Sequence, residues 1–210
     1  MFGIQDLPLY LISCILLNLT PGQDTLYIVG RSVAQGRKAG LVSAFGIMSG
    51  VLMHTLLAVL GLSVILATSA LAFGIVKYIG AGYLIWIGVG FIRNKSHPAQ
   101  IPDTGTRSFK IWKTYRQGML TNLLNPKVAL FFLSFLPQFV SPQTELAFGT
   151  FTALGLLFFT TGSIWCLILV YGSSWLAVKF RANAQMGGAL KKLTGGLFVA
   201  LGIKLAFSRQ

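Results

Sequence analysis

The sequence predicts an all-α integral membrane protein: six transmembrane helices in two inverted three-helix repeats, the first and fourth broken at proline. Three observations carry this. The 210 residues are 54% hydrophobic and only 10% charged, with a mean hydropathy of +0.74, whereas a soluble domain of this size carries about 25% charged residues. Six apolar runs of bilayer-crossing length follow one another. Two of those runs, one in each half, hold a proline close behind an asparagine at matching places.

A helix needs about 20 mostly apolar residues to cross hydrocarbon, and the runs that qualify are residues 7–29, 41–67, 73–92, 118–140, 147–178 and 189–207. The first begins almost at the N-terminus with no basic segment ahead of it, so it is expected to be a retained span and not a cleaved signal peptide. The fifth exceeds the bilayer's need and is expected to tilt or to run on along the interface. The polar stretch 94–114, with prolines, glycine and basic residues, reads as a solvent loop. It divides the chain into a first repeat, 1–93, and a second, 115–210.

Charge sets the orientation. The net charge is +13, and thirteen of the seventeen Lys and Arg fall in or beside three connections: Arg31, Arg37 and Lys38; then Arg93 to Arg116; then Lys179 to Lys192. The opposite connections, 68–72 and 141–145, have none. Basic residues stay on the cytoplasmic face, so both termini are expected outside. The same placement points to lipid head groups and not to nucleic acid as the partner of the positive charge.

The two halves repeat each other. "NLTPG" at 18–22 matches "NLLNPK" at 122–127, and "KYIGAGYLIW" from Lys77 matches "KKLTGGLFVAL" from Lys191; setting Lys77 on Lys192 brings Gly80 onto Gly195 and Tyr83 onto Phe198. With three spans per repeat the second copy enters from the opposite side, the inverted arrangement of many secondary transporters, in which paired Gly/Pro interruptions point to the binding site.

Proline removes an amide donor and clashes with the preceding turn. Pro21 is expected to free the carbonyl of Leu17, and Pro126 that of Asn122, with Thr20, Gly22 and Asn125 loosening the helices further. Broken backbone survives in hydrocarbon only against protein or a wet cavity. A plain kink healed by Ser13, Asn18, Thr20 or Asn122 is the simpler alternative. Two matched breaks with charges beside both favour a cavity.

Asp24 is the only carboxylate inside a span, since Asp6, Asp103 and Glu145 lie at the edge or in loops. Such groups are costly in a bilayer and mark pathways or proton relays, so Asp24 is the expected proton-coupling residue, against a structural ion pair or a helix cap. Lys127 is its natural partner: counted from the cytoplasmic ends of their spans, the two lie about 15 Å and about 9 Å deep. A carboxylate and an ammonium in one cavity can hold an amino acid by its head; alternatively, Lys127 snorkels or neutralises Asp24. Asn18 and Asn122 flank the breaks and join the candidate site.

Other residues have plainer readings. His54 is expected to be a hydrogen-bonded core histidine more readily than a proton relay. "GIMSG" at 46–50 fits close helix packing, and Trp112 with Tyr115 an interfacial anchor. Tyr27, Trp86, Phe131, Phe132 and Trp165 are expected in the core or against lipid, with one or two in a pocket. No phosphate loop, GxSxG elbow or HExxH occurs. Cys14 and Cys166 stand alone, with no CxxC or His/Cys cluster. Neither an enzyme, a cofactor nor a metal is expected.

"TPGQDTLYIVGRSVAQGRKAGL", "GIMSGVLMH", "GLSVIL", "KYIGAGYLIWIG" and "GMLTNLLNPKVALFFLSFLPQF" together resemble the lysine and homoserine/threonine exporter family, LysE/RhtB, over about residues 20–139. The family usually has Pro-Gly-Pro where this chain has Pro21-Gly22-Gln23, a change that bears on how far the first helix unwinds. The resemblance implies a six-helix exporter of amino acids or close derivatives in the bacterial inner membrane, driven by protons. It also implies a site at Pro21, Gly22, Asp24, Asn125, Pro126 and Lys127. In that site Asp24 is expected to exchange a proton for the substrate ammonium, while Lys127 and the freed amides near Gly22 and Asn125 take the carboxylate. Whether one chain or a homodimer does this stays open. The rivals are an inorganic-cation exporter of the same architecture and an intramembrane thiol oxidoreductase using Cys14 and Cys166.

Overall fold

The computed structural model describes residues 3–62, 70–93, 110–141, 144, 146–173, 175, 192–193, 195–196, 198–200, 202–203 and 206–207. Every named element among them is helical. Residues 94–109 of the predicted loop, Asp103, Glu145 and much of the predicted sixth span lie outside the described residues.

The first apolar run folds as two helices, α1 (Leu7–Leu19) and α2 (Gln23–Gln35). The break falls at Thr20-Pro21-Gly22, where the sequence placed it. The second half-helix, however, runs six residues past the predicted end of the span, so Arg31 is helical and does not belong to a connection. Hydropathy marks where hydrocarbon ends, and a helix is free to continue into the head groups. The turn into α3 (Arg37–Leu57) is the single residue Gly36, whose φ of 83° lies in the left-handed region that favours glycine.

α3 continues into a π-helical turn, Ala58–Leu62. α4 (Ala70–Arg93) follows, then α5 (Ile111–Leu123), which begins four residues inside the segment assigned to the loop. After the second break at Leu124-Asn125 comes α6 (Pro126–Leu130), which passes through a π turn, Phe131–Phe135, into a 3-10 turn, Leu136–Phe139. α7 (Ala147–Tyr171) takes up most of the predicted fifth span, whose residues 174 and 176–178 lie outside the described residues. Among the described residues, two stretches, Arg37–Leu62 and Ala147–Tyr171, are long and apolar enough to cross a membrane. The pair Ile111–Leu123 and Pro126–Phe139, bent by 46°, adds a third when counted as one broken span.

α3 packs on α5 backbone to backbone. A Cβ on Gly46 would run into the carbonyl oxygen of Tyr115 and come within 2.9 Å of Met119 N, and one on Gly118 would sit 2.6 Å from Ser43 O. This is the close approach that "GIMSG" suggested. The glycine-rich closing segments of the two halves also meet: a Cβ on Gly88 would lie 2.6 Å from Gly195 O, and one on Gly202 would lie 2.8 Å from Ala81 O.

Two apolar clusters form the interior. The larger is aromatic. Phe131, Phe135 and Phe139, on one face of the segment after the second break, pack against Tyr10 of α1, and Phe131 also against Phe158 of α7, at centroid distances of 4.7 to 6.3 Å. The chain start is tied to the same segment by Gln5 N donating to Phe139 O and Ser141 N donating to Gly3 O. The smaller cluster, around Ile28, Val29, Ala44, Ile47, Cys166 and Leu169, joins α2, α3 and α7. Tyr10 O–H donates to Leu154 O at 2.7 Å, fully buried. Tyr10→Phe removes that bond and should lower stability by about 0.6 kcal/mol, the average for such bonds between membrane helices, and by no more than about 1.7. Reversible unfolding in detergent measures it.

Candidate functional site

Both breaks expose polar backbone, and two side chains beside the second break hold groups of the first. Pro21 has no amide proton to give to Leu17, so that carbonyl is free, as the sequence predicts. Lys127 Nζ donates to it at 3.0 Å and also to Thr20 O at 3.0 Å. Asn122 Nδ2, in the last turn of α5, donates to Asp24 Oδ2 at 2.8 Å. The ammonium thus rests on the carbonyl end of α1, and the carboxylate sits in the first turn of α2. Each half-helix presents there the partial charge that suits its guest.

The local sequence places these groups. Asn125 caps α6: its Oδ1 accepts from Lys127 N at 3.0 Å, which turns the Lys127 side chain toward the first break. Gly22 leaves space for the ammonium, since a Cβ there would lie 3.2 Å from Lys127 Nζ. Gly50 does the same for Asn122, whose Oδ1 would be 2.7 Å from an added Cβ. Gly50 therefore serves the site, a role its packing motif did not suggest. The Asn122 carbonyl freed by Pro126 accepts from Asn125 N at 2.9 Å and faces His54 Nε2 at 3.3 Å. His54 is buried and stacked on Phe132 at 5.6 Å, a core histidine as expected.

Between the two apolar clusters lies a small, partly open cavity, with Asp24, Lys127, Asn18 and Asn122 among its lining residues. Asn18 reaches across to Thr161 Oγ1 at 3.4 Å. Of the eight residues the sequence singled out, these four line the space. Pro21, Gly22, Asn125 and Pro126 shape the backbone around it, and Pro126 itself is exposed. Asp24 and Lys127 are near enough to act on each other electrostatically, yet two ammonium protons of Lys127 go to backbone carbonyls. Lys127 therefore acts here as a strut of the broken helix, a role beside the two that the sequence left open for it.

Three polar atoms in this small region are buried without a protein partner: Asp24 Oδ1, Asn122 Oδ1 and Asn125 Nδ2. Folded chains leave few such atoms, and these three lie close together, with Asn125 near enough to Asp24 to act on its carboxylate. Trp165 of α7, one of the five aromatics of which the sequence expected one or two in a pocket, lines the cavity, and beside it lies Cys166, which the sequence did not place there. Nothing in an apolar helix pattern tells an inward-facing tryptophan from one against lipid. Trp86 and Trp112, by contrast, are 69% and 70% exposed, and Trp112 stacks on Tyr115, whose O–H donates to Ser49 Oγ. Cys14 and Cys166 are both free thiols and belong to different apolar clusters.

Residues 15–209 match the LysE type translocators. The chain belongs to that family. It is a membrane transporter, and its relatives agree. It is 31% identical to the membrane protein YrhP of Bacillus subtilis, over 98% of this chain and 100% of the relative. It is 30% identical to the membrane protein PA4757 of Pseudomonas aeruginosa, over 97% and 96%. A membrane protein of Vibrio cholerae is 28% identical, over 95% of this chain and 96% of its own length. No solved structure matches the chain.

Proposed function

We propose that this LysE-family transporter is a secondary active exporter of amino acids or close derivatives across the bacterial inner membrane, working as a proton-coupled antiporter. Its two inverted three-helix halves rock to give alternating access, and both termini face the periplasm. The observation that carries the reading is the tie of the first break to the second, with Asp24 Oδ1 left unpartnered beside the cavity.

A carboxylate with one oxygen held by Asn122 and the other unengaged can accept a proton or a substrate ammonium, but not both. That exclusion is what antiport requires. Lys127 and Asn122 each belong to the second break and hold the first, so a movement of either half changes the surroundings of Asp24. A bistable element of this kind couples proton exchange to access.

The test is efflux from proteoliposomes loaded with a radiolabelled amino-acid mixture under an imposed pH gradient. Wild-type efflux should accelerate with the gradient. In Asp24→Asn, pH-driven efflux should fall to the leak of protein-free vesicles. Undiminished pH-driven efflux in that variant would overturn the role given to Asp24.

A further inference from the structure

The cavity walls narrow the substrate further. Asp24 supplies the only carboxylate among the lining residues, with one free oxygen. The other charged lining residue, Lys127, is engaged with Leu17 O and Thr20 O. Trp165 lines the same cavity, and its Nε1–H is buried without a partner. Most of the remaining wall is apolar, with Ile28, Ile47, Val51, Phe158 and Leu169 on three different elements.

A buried donor and a buried acceptor left unpaired each carry a desolvation cost that a guest with complementary groups removes. An apolar wall rewards an apolar side chain and penalises a charge. We infer that the cavity, granted the export reading above, takes neutral amino acids with apolar side chains. The ammonium sits on Asp24 Oδ1, a carboxylate oxygen accepts from Trp165 Nε1, and the side chain lies against the apolar wall. A dibasic amino acid brings a second cation that no second carboxylate meets. An acidic one brings a second anion toward Asp24.

Equilibrium binding to the purified full chain in lipid nanodiscs decides this. The probes are radiolabelled leucine and lysine, with isoleucine, methionine, glutamate and 3-methylbutylamine (leucine without its carboxylate) as competitors. Leucine, isoleucine and methionine should bind within a few-fold of one another, and lysine and glutamate about a hundredfold more weakly, as an unpaired charge in an apolar site demands. Trp165→Phe should weaken leucine by about tenfold and leave the amine unchanged, while Trp165→His, which keeps a ring N–H, should recover part of the loss.

Lysine binding as tightly as leucine, or a Trp165→Phe effect equal for leucine and the amine, overturns the inference while leaving amino-acid export standing. No binding of any amino acid overturns both. The wild-type panel needs no variant, so it decides the side-chain class even if Trp165→Phe fails to fold.

Discussion

Lys127→Met should destabilise the chain by about 3 kcal/mol, the order expected when two hydrogen bonds from a charged group, worth about 1.5–3 kcal/mol each, are lost. The ammonium holds the carbonyls of Leu17 and Thr20 at 3.0 Å each, and Met offers neither proton. Asp24 simultaneously loses the cation that offsets its own burial. The companion Asp24→Asn/Lys127→Met should recover a substantial part of the loss, because no uncompensated charge is then left inside. A double-mutant cycle on reversible unfolding measures this coupling. Strictly additive single and double variants would show that the two side chains stabilise the fold independently. Transport should be lost in all three variants, so stability and activity part company in the double variant alone.

The break itself was legible in the sequence because its cause is covalent. A proline cannot donate, so the carbonyl of Leu17 had to find another proton, whatever the fold. Which proton it finds was not legible. Lys127 is 110 residues away, and only the packing of α2, α3 and α5 brings it there. The same holds for Asp24: the sequence placed Asn122 in the candidate site, but not as the side chain that donates to this carboxylate. The ends of α2 and α5 were misjudged because hydropathy reports the hydrocarbon boundary and says nothing of a helix that continues past it. Arg31 illustrates this. It is helical, donates to Gln35 Oε1 at 2.8 Å and Gln117 Oε1 at 2.7 Å, and lies over the Tyr27 ring. The π turns at Ala58–Leu62 and Phe131–Phe135 had no signal either, since an extra residue in a turn leaves an apolar pattern apolar. That second turn brings the phenylalanines against Tyr10 and Phe158, and Phe158 then lines the cavity.

Gly46→Val is expected to disturb the fold as severely as the loss of Lys127, for a steric reason. The added atoms would meet Tyr115 O, Met119 N and Gly118 Cα, all backbone, so no flexible side-chain tip can swing away. α3 and α5 must then separate. Overpacking costs about 1–3 kcal/mol where side chains can yield, and more where they cannot. The separation also reaches the site. Gly50, one turn along α3, touches Asn122, and Asn122 holds Asp24. Stability and substrate binding should therefore fall together in Gly46→Val. Gly149→Ala is the matched control: it lies on α7 with nothing within 4 Å of the added carbon, and helix propensity alone predicts a gain of up to about 1 kcal/mol. Thermal unfolding and leucine binding of the two variants, measured side by side, separate the effects. A Gly46→Val protein as stable as wild type and still binding would mean that α3 and α5 do not depend on backbone contact to position the carboxylate.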